Sequence, residues 1–407
     1  MKIAYLVPEF PGQTHGFFWR EVLAMEAAGE AVTIFSTKRP KDKTTHGFSE
    51  VAAARTRYLA DLRLKNIPAW ARAALKALRL MSRQDVRELI RVEGESWRKM
   101  FALATVGARL RAVCSRESIG HLHVHSCADA GYVAAFSHLS GGPAFSLSLH
   151  GDLAVYGRGH SFKFKSAKFL ACVTQALCEQ VKSQVTQLMS EPELIRMGIE
   201  FDEAIQKKAD WSPARELRLV TVARLNPMKG HSHAISAVGD LVRRGYNVNY
   251  DIVGEGDHRS AVEQCIADAG LIDHVRMIGP IANDQVTRFL TKYDAFVLPS
   301  VGLGEAAPVA VMEAMSVGVP VVSSIIGGTP EMIKDGVTGF LFPQGDQVKL
   351  AGILARLADD PSLRKSVGDA GRSHAKSNFL TKHSAARLIK CIYSSSSHPE
   401  LNIVTLN

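Results

Sequence analysis

Residues 295–323, AFVLPSVGLGEAAPVAVMEAMSVGVPVVS, restrict the fold of this chain more than any other stretch. Ala295 to Leu298 is apolar and short enough to be a buried strand. Pro308 suits the first position of a helix, where its missing N–H would be unpaired anyway. Gly318 ends that helix, and Val319, Val321 and Val322 around Pro320 begin a second buried strand. Strand, loop, helix and strand in this order form a parallel-sheet unit, with the helix N-terminus at the carboxyl edge of the sheet. Open α/β folds bind ligands at that edge, and the free N–H groups of a helix start attract phosphate. Glu305 lies in the loop before the helix and Glu313 inside it, so their carboxylates belong to one site, where they can hold sugar hydroxyls.

The same alternation runs through the chain twice. Short apolar runs separated by helical patterns occur at Ile3 to Val7, Val32 to Phe35, Leu122 to Val124, Phe145 to Leu149 and Phe169 to Val173. A second set follows at Leu217 to Val222, Asn249 to Val253, Val275 to Ile278, Ala295 to Leu298, Val319 to Val322 and Gly339 to Phe342. Each half reads as its own α/β sheet. At 407 residues the chain is also too long for one ordinary core. The polar stretch 200–215, which contains Pro213, is the expected boundary. The expected units are an N-terminal Rossmann-like domain, 1–203, a C-terminal Rossmann-like domain, 204–380, and a C-terminal helix with a tail, 381–407. That helix, Thr381 to Tyr393, is expected to pack back toward the first domain, and Ser394 to Ser397 with the residues after it read as loosely ordered.

The formal net charge of +9 favours anionic partners: nucleotide diphosphates, phospholipid headgroups or nucleic acid. Twelve of the basic residues fall between Arg63 and Arg111, interleaved at helical spacing with Trp70, Leu75, Leu78, Trp97 and Phe101. This basic amphipathic region suits peripheral membrane contact and equally suits a solvated helix face. The six cysteines have no paired short spacings, which argues against a zinc site or disulfide framework and fits a reducing cytosol. The opening Lys2 to Val7 reads as a first strand rather than a targeting segment, and no stretch is apolar enough to span a bilayer. The expected location is the cytoplasm, including the inner face of the cytoplasmic membrane. A nucleic-acid role would rest on charge alone and is not expected.

Several residues carry candidate chemistry. VTVARLNPMKG, 220–230, runs from a strand into a loop with Arg224 and Lys229 at the strand's carboxyl end. A guanidinium grips two phosphate oxygens and an ammonium adds a point charge, so the pair can stabilise a departing diphosphate; the alternative is two solvated loop cations. No Asp-x-Asp pair and no His/Cys cluster with ligand spacing occurs, so a metal-bridged diphosphate has no support in the sequence. FSLSLHGD, 145–152, ends a strand at His150, which can meet a sugar hydroxyl or serve as a structural histidine, and Gly151 allows close approach. His121, His123 and His125 alternate on another strand. The expectation there is that Leu122 and Val124 face inward and that no carboxylate joins the histidines. Gly254-Glu-Gly256 lacks the third glycine of a dinucleotide motif, and Pro11 to Gly16 lacks the ending of a P-loop, though it can still bring amides near a ligand.

These residues in this order resemble the GT-B glycosyltransferases of retaining family 4, especially bacterial exopolysaccharide and colanic-acid-type transferases. The resemblance extends over most of the chain. It rests on KIAYLVPEFPGQTHGFFWREV at the start, Phe145 to Asp152, VARLNPMKGH, IVGEGDHR, MIGP, Pro299 to Ser323, Gly327 to Glu331 and Asp335 to Gly339. It implies two Rossmann-like parallel-sheet domains facing across a cleft. It further implies that Arg224 and Lys229 hold the donor pyrophosphate, Glu313 the ribose, Glu305 the transferred sugar, and that His150 faces that sugar from the other domain. Ala306, Ala307, Pro308 and Val309 would add contacts at the helix start. The base would lie near Gly254, Pro280 and Ile281, while Gly12 and Gly16 would border the cleft. One departure is Ala306, where the family usually has glycine; it restricts the loop and crowds the donor sugar.

The implied activity is transfer of a sugar, with retention, from a nucleotide-diphosphate sugar to a saccharide or lipid-linked acceptor in bacterial cell-surface polysaccharide synthesis. The donor is a substrate, and no cofactor or metal is expected. Two other readings share the cleft: a GT-B sugar-nucleotide 2-epimerase, which needs no acceptor, and a catalytically silent subunit of a polysaccharide-assembly complex.

Overall fold

Strands with both faces covered build two parallel sheets, one from each half of the chain. The structure is a computed structural model and describes residues 1–12, 16–40, 47–59, 67–185, 188–207 and 210–394. The N-terminal sheet contains β1 (Lys2–Glu9), β2 (Val32–Lys38), β3 (Thr56–Tyr58), β4 (Ile119–Val124), β5 (Ala144–Leu149), β6 (Leu170–Cys172) and β7 (Glu193–Leu194), in the order 3-2-1-4-5-6-7. The C-terminal sheet contains β8 (Glu216–Val222), β9 (Asn247–Val253), β10 (Val275–Gly279), β11 (Ala295–Leu298), β12 (Val321–Ser324) and β13 (Phe340–Phe342), in the order 10-9-8-11-12-13. Each order reverses direction once, between β1 and β4 and between β8 and β11. These reversals open crevices at the carboxyl ends of the strands, where α/β sheets take ligands.

The alternation along β1 shows how the first sheet is covered. Ile3, Tyr5 and Val7 pack with Phe18, Val22 and Met25 of the helix Gly16–Ala27, and with Ala385, Leu388 and Ile392 of the helix Thr381–Tyr393. Ala4 and Leu6 face the other way, with Leu122, Val124, Phe145 and Leu147, against the helices Trp97–Glu117 and Asp129–Leu139. The last helix therefore returns to the first sheet, and Lys168 Nζ donates to its Ile392 carbonyl at 2.7 Å. The short edge strands β3 and β7 have no counterpart among the expected strands. Three and two residues carry too little periodicity to be read. β12 starts at Val321, two residues later than its apolar run.

The same apolar cluster that lies beneath the N-terminal sheet continues through Phe296, Leu298, Ala306, Ala307, Val311 and Met315 of the C-terminal half. Polar contacts also join the halves. Gly304 N–H donates to Asp152 Oδ2 at 3.0 Å. Glu331 receives the N–H groups of Gln175 and Ala176 at 2.8 and 2.9 Å, so its carboxylate caps the N-terminus of the helix Gln175–Gln184. The described part of the basic region forms three helices, Ile67–Met81, Gln84–Arg91 and Trp97–Glu117, and Leu75, Leu78 and Trp97 are exposed on them. Arg63 and Lys65 lie outside the described residues, as do Gln13, Thr14 and His15 of the first loop and the tail beyond Ser394. Among the described residues, no helix is long and apolar enough to cross a membrane.

Candidate functional site

The segments that follow β8 and β11 carry the cations and carboxylates singled out in the C-terminal half. After β8 the chain enters a loop and a 3-10 turn, Pro227–Lys229, followed by Gly230 at φ +63 and the helix His231–Arg243. A Cβ at Gly230 would stand 2.0 Å from the Pro299 carbonyl oxygen, so only glycine lets this loop press against the one that follows β11. That approach delivers Lys229 to Glu305, with which it forms an ion pair. Ser300 Oγ also donates to Glu305 Oε2, at 3.0 Å. Arg224 sits five residues earlier on the same loop; its side chain is exposed, and no carboxylate pairs with it among the described residues.

The Glu305 loop is held from beneath by a second pair of glycines. A Cβ at Gly327, φ +50, would fall 1.7 Å from the Glu305 carbonyl oxygen, and Gly328 N–H donates to Ala306 O at 2.6 Å. Ala306 and Ala307 are buried in this arrangement. Pro308 is the N-cap of the helix Val309–Ser316, φ −66 and ψ 112, not its first helical residue as expected. The extended backbone that brings the chain up from Glu305 continues through Pro308 before the helix begins. At the other end, Ser316 O accepts from Arg372 Nη1 and Val317 O from Lys207 N–H, so the terminal carbonyls have partners. Gly254 and Gly279 meet where Gly254 N–H donates to Gly279 O at 2.9 Å, which places Pro280 and Ile281 beside the end of β9. A Cβ at Gly254 would stand 1.9 Å from Ala223 O, so this glycine is required by contact between loops.

Glu313 is buried in the middle of its helix, and Arg20 of the opposite half reaches it, Nη1 to Oε1 at 2.9 Å. Burial pushes the Glu313 carboxyl above its ordinary value, and the Arg20 guanidinium opposes that shift. Arg20, Trp19, Phe48, Asn283, Thr287 and Ser316 help to line a cavity of about 450 Å³ between the halves. Gly16 starts the helix that carries Arg20, and a Cβ there would stand 2.8 Å from the Asn283 side chain. Gly12, also buried, closes the described part of the loop after β1.

His150 ends β5 across the cleft from Gly304. Its N–H donates to Tyr156 Oη at 2.8 Å, its Nε2 lies 3.2 Å from His125 Nδ1, and its Nδ1 lies 3.4 Å from Met197 Sδ. Both ring nitrogens thus face groups of the N-terminal half. The histidine strand departs from expectation in two ways. Leu122 and Val124 are inward, but so are all three histidines, because the helix Gly16–Ala27 covers their face of the sheet as well. A carboxylate does accompany them: Glu21 Oε1 lies 3.2 Å from His125 Nε2 and accepts from Tyr5 Oη at 2.6 Å. His123 is engaged through both nitrogens, with Ser146 Oγ at 2.8 Å and Ser148 Oγ at 2.9 Å, and His121 Nε2 meets Ser146 Oγ at 2.8 Å. Glu21, His123 and His125 bring possible ligand atoms within 4.8 Å of one another, and the His123 and His125 rings meet edge to face. Burial holds His123 well below the usual imidazole range, and burial with the Lys168 charge lowers His121 to about 3. Arg20 and Glu21 were not singled out from sequence: they sit inside an apolar run, and their partners lie 293 and 16 residues away.

Residues 202–374 match the family described as glycosyl transferases group 1. The chain is 37% identical over 214 residues to the amylovoran biosynthesis glycosyltransferase AmsK of Erwinia amylovora, covering 52% of this chain and 50% of that protein. It is 27% identical over 403 residues to the putative colanic acid biosynthesis glycosyltransferase WcaL of Salmonella typhimurium, covering 93% and 96%. Among solved structures it superposes on a sucrose-phosphate synthase from Thermosynechococcus elongatus with a TM-score of 0.73 at 18% identity, over 96% of this chain and 98% of that one. Anabaena HepE, solved with UDP and glucose, gives 0.72 at 18% identity over 97% and 100%. The two facing parallel sheets are thus the GT-B fold.

Proposed function

Since the chain is a group 1 glycosyltransferase of GT-B fold, homologous to the colanic acid and amylovoran biosynthesis transferases, we propose that it moves a hexosyl residue from a nucleotide-diphosphate sugar to a saccharide or lipid-linked acceptor in bacterial exopolysaccharide assembly. Anomeric configuration is retained. The observation that carries this reading is the Lys229–Glu305 ion pair, which joins the loop after β8 to the loop after β11. We divide the chain for this purpose into an acceptor-side unit, 1–203, a donor-side unit, 204–380, and the C-terminal helix with its tail, 381–407.

Breaking the anomeric bond spreads positive charge over the sugar and negative charge over the departing diphosphate. Arg224, exposed at the mouth, and Lys229 are fixed cations for that negative charge, and the start of the helix Val309–Ser316 adds its N–H groups. Within the Lys229–Glu305 pair, Glu305 keeps the ammonium pointed into the site. On donor binding Glu305 turns its hydroxyl-accepting capacity to the sugar, and Glu313 takes the ribose. None of the backbone bonds around the loop uses the N–H of Ala306 or Ala307 among the described residues, which leaves these donors for the phosphate or sugar. No side chain acts as a covalent nucleophile in this scheme; the leaving phosphate oxygen takes the acceptor's proton on the same face. Nucleotide binding beside Pro280 and Ile281 extends toward the 450 Å³ cavity, and HepE, which binds UDP and glucose, gives a precedent for a uridine donor.

With two cations on the diphosphate, the reaction needs no divalent metal. The exposed Leu75, Leu78 and neighbouring arginines are read as a peripheral contact with an anionic membrane, where a lipid-linked acceptor would be presented. The test is incubation of purified protein with a panel of nucleotide sugars, with and without oligosaccharide or lipid-linked acceptors, in excess EDTA. Acceptor-dependent release of nucleoside diphosphate is expected. Strict dependence on added metal would contradict the two-cation account, and acceptor-free isomerisation of the donor would favour an epimerase.

A further inference from the structure

The donor-side carboxylate Glu313 is not served by its own half of the molecule. The cation beside it is Arg20, 293 residues earlier, on the helix Gly16–Ala27 of the opposite half. The pair is nearly closed off, the side chains being 14% and 5% exposed. We propose that Arg20 is a positioning residue for donor binding, holding the Glu313 carboxylate in the orientation in which it takes the ribose. The proposal rests on the reading of Glu313 as the ribose anchor.

Three observations carry it. First, the guanidinium occupies one carboxylate oxygen, Oε1, which leaves Oε2 for a ligand hydroxyl. Second, other cations near this helix are committed elsewhere. Arg372 donates to the Ser316 and Ile205 carbonyls and pairs with Glu203, and Lys207 lies against Asp210 and Asp294. Third, Arg20 Nε is buried without a hydrogen-bond partner, so Glu313 rather than a network around the guanidinium dictates where the side chain sits. Chemistry then assigns the role. A buried carboxylate with no counter-charge takes up a proton, and burial already pushes Glu313 in that direction. An ionised carboxylate accepts from a ribose hydroxyl more strongly than a neutral acid does. Because the cation comes from one half and the carboxylate from the other, nucleotide affinity also depends on the two halves being together.

The test uses the full chain and calorimetric binding of UDP, GDP, ADP and dTDP; the diphosphate that binds wild type tightest is the probe. Wild type that binds none of them overturns the proposal with the donor reading. Glu313→Gln is expected to weaken the probe about 30-fold and Arg20→Gln about tenfold, in the range for hydrogen bonds to charged groups. Arg20→Lys should stay within about threefold of wild type, and the double variant should bind no worse than Glu313→Gln alone, because Arg20 acts through the carboxylate. The Arg20→Gln affinity should recover as pH rises and Glu313 ionises, a response that simple loss of packing would not give. If Glu313→Gln leaves binding unchanged, the ribose reading fails. If Glu313→Gln weakens binding while Arg20→Gln leaves it unchanged or tightens it, Arg20 is a bystander or a competitor and the positioning role fails. A double variant more than about threefold weaker than Glu313→Gln would mean that Arg20 touches the nucleotide itself, which also overturns the proposal. Should Arg20→Gln not fold, Arg20→Met, which keeps the length of the side chain without its charge, takes its place with the same expected and overturning outcomes, while the double variant still reports whether Arg20 touches the nucleotide.

Discussion

Lys229 and Glu305 are paired with each other, and the pairing holds a mobile ammonium in place at the position where we propose that charge develops. Lys229→Ala is expected to lower turnover about 10²–10³-fold, as removal of one fixed donor of charge stabilisation does elsewhere. Steady-state transfer assays at saturating donor check this, and an effect confined to KM would place the lysine in ground-state binding only. The buried histidines of β4 make a different prediction. His121 and His123 reject protons in the folded chain, whereas the unfolded chain accepts them near 6.5. Their contribution to stability is therefore complete above about pH 6.5 and is lost as pH falls toward the folded values. The slope is about 1.4 kcal/mol per pH unit for each histidine. Urea midpoints measured across this range should fall with pH, and the slope should be shallower in His121→Gln. At this scale the sequence was readable where residues belong to one loop. Arg224, Lys229 and Glu305 stand in segments whose strand, turn and glycine signals are local. Arg20, Glu21 and Tyr5 are not readable, since Glu21 and Tyr5 reach His125 only when a helix docks on the sheet, and Arg20 reaches Glu313 only when the two halves meet.

The element that decides the geometry of the site is the loop and helix from Pro299 to Ser316, clamped between Gly230 on one side and Gly327 on the other. Gly327→Ala would drive a methyl group into the Glu305 carbonyl from a backbone with φ +50. The expected cost is on the order of 2 kcal/mol in chemical denaturation, with weaker nucleotide binding because the Glu305 loop must move. An alanine variant with wild-type affinity would show that the loop does not depend on this contact. The strand–loop–helix–strand order of this segment is legible because its punctuation is strong: a four-residue apolar run, three prolines and Gly318. Its finer register was not. Proline tolerates both the N-cap and the first helical position, and only the extended ψ of Pro308 distinguishes them. β3 and β7 are not legible in the sequence for a related reason, since edge strands of two or three residues gain their definition from the neighbour they pair with.

Across the whole molecule, the duplicated α/β pattern fixed the two sheets, while the contacts between them could not be read from either half alone. The basic helices lie on the N-terminal half, and Leu75 and Leu78 stand exposed among arginines on the helix Ile67–Met81. Replacing both with Asp should abolish co-sedimentation with vesicles containing anionic lipid while leaving transfer to a soluble acceptor unchanged. Equal binding to neutral and anionic vesicles would remove the electrostatic part of that reading. The Glu331 carboxylate has a consequence of its own. It satisfies the first two amides of the helix Gln175–Gln184 from the opposite half, so each separation of the halves leaves those amides to water. Deuterium uptake at Gln175 and Ala176 should therefore count cleft openings directly. Exchange there should slow when donor is bound and speed up in Glu331→Gln, giving the molecule an internal gauge of its own breathing that needs no label.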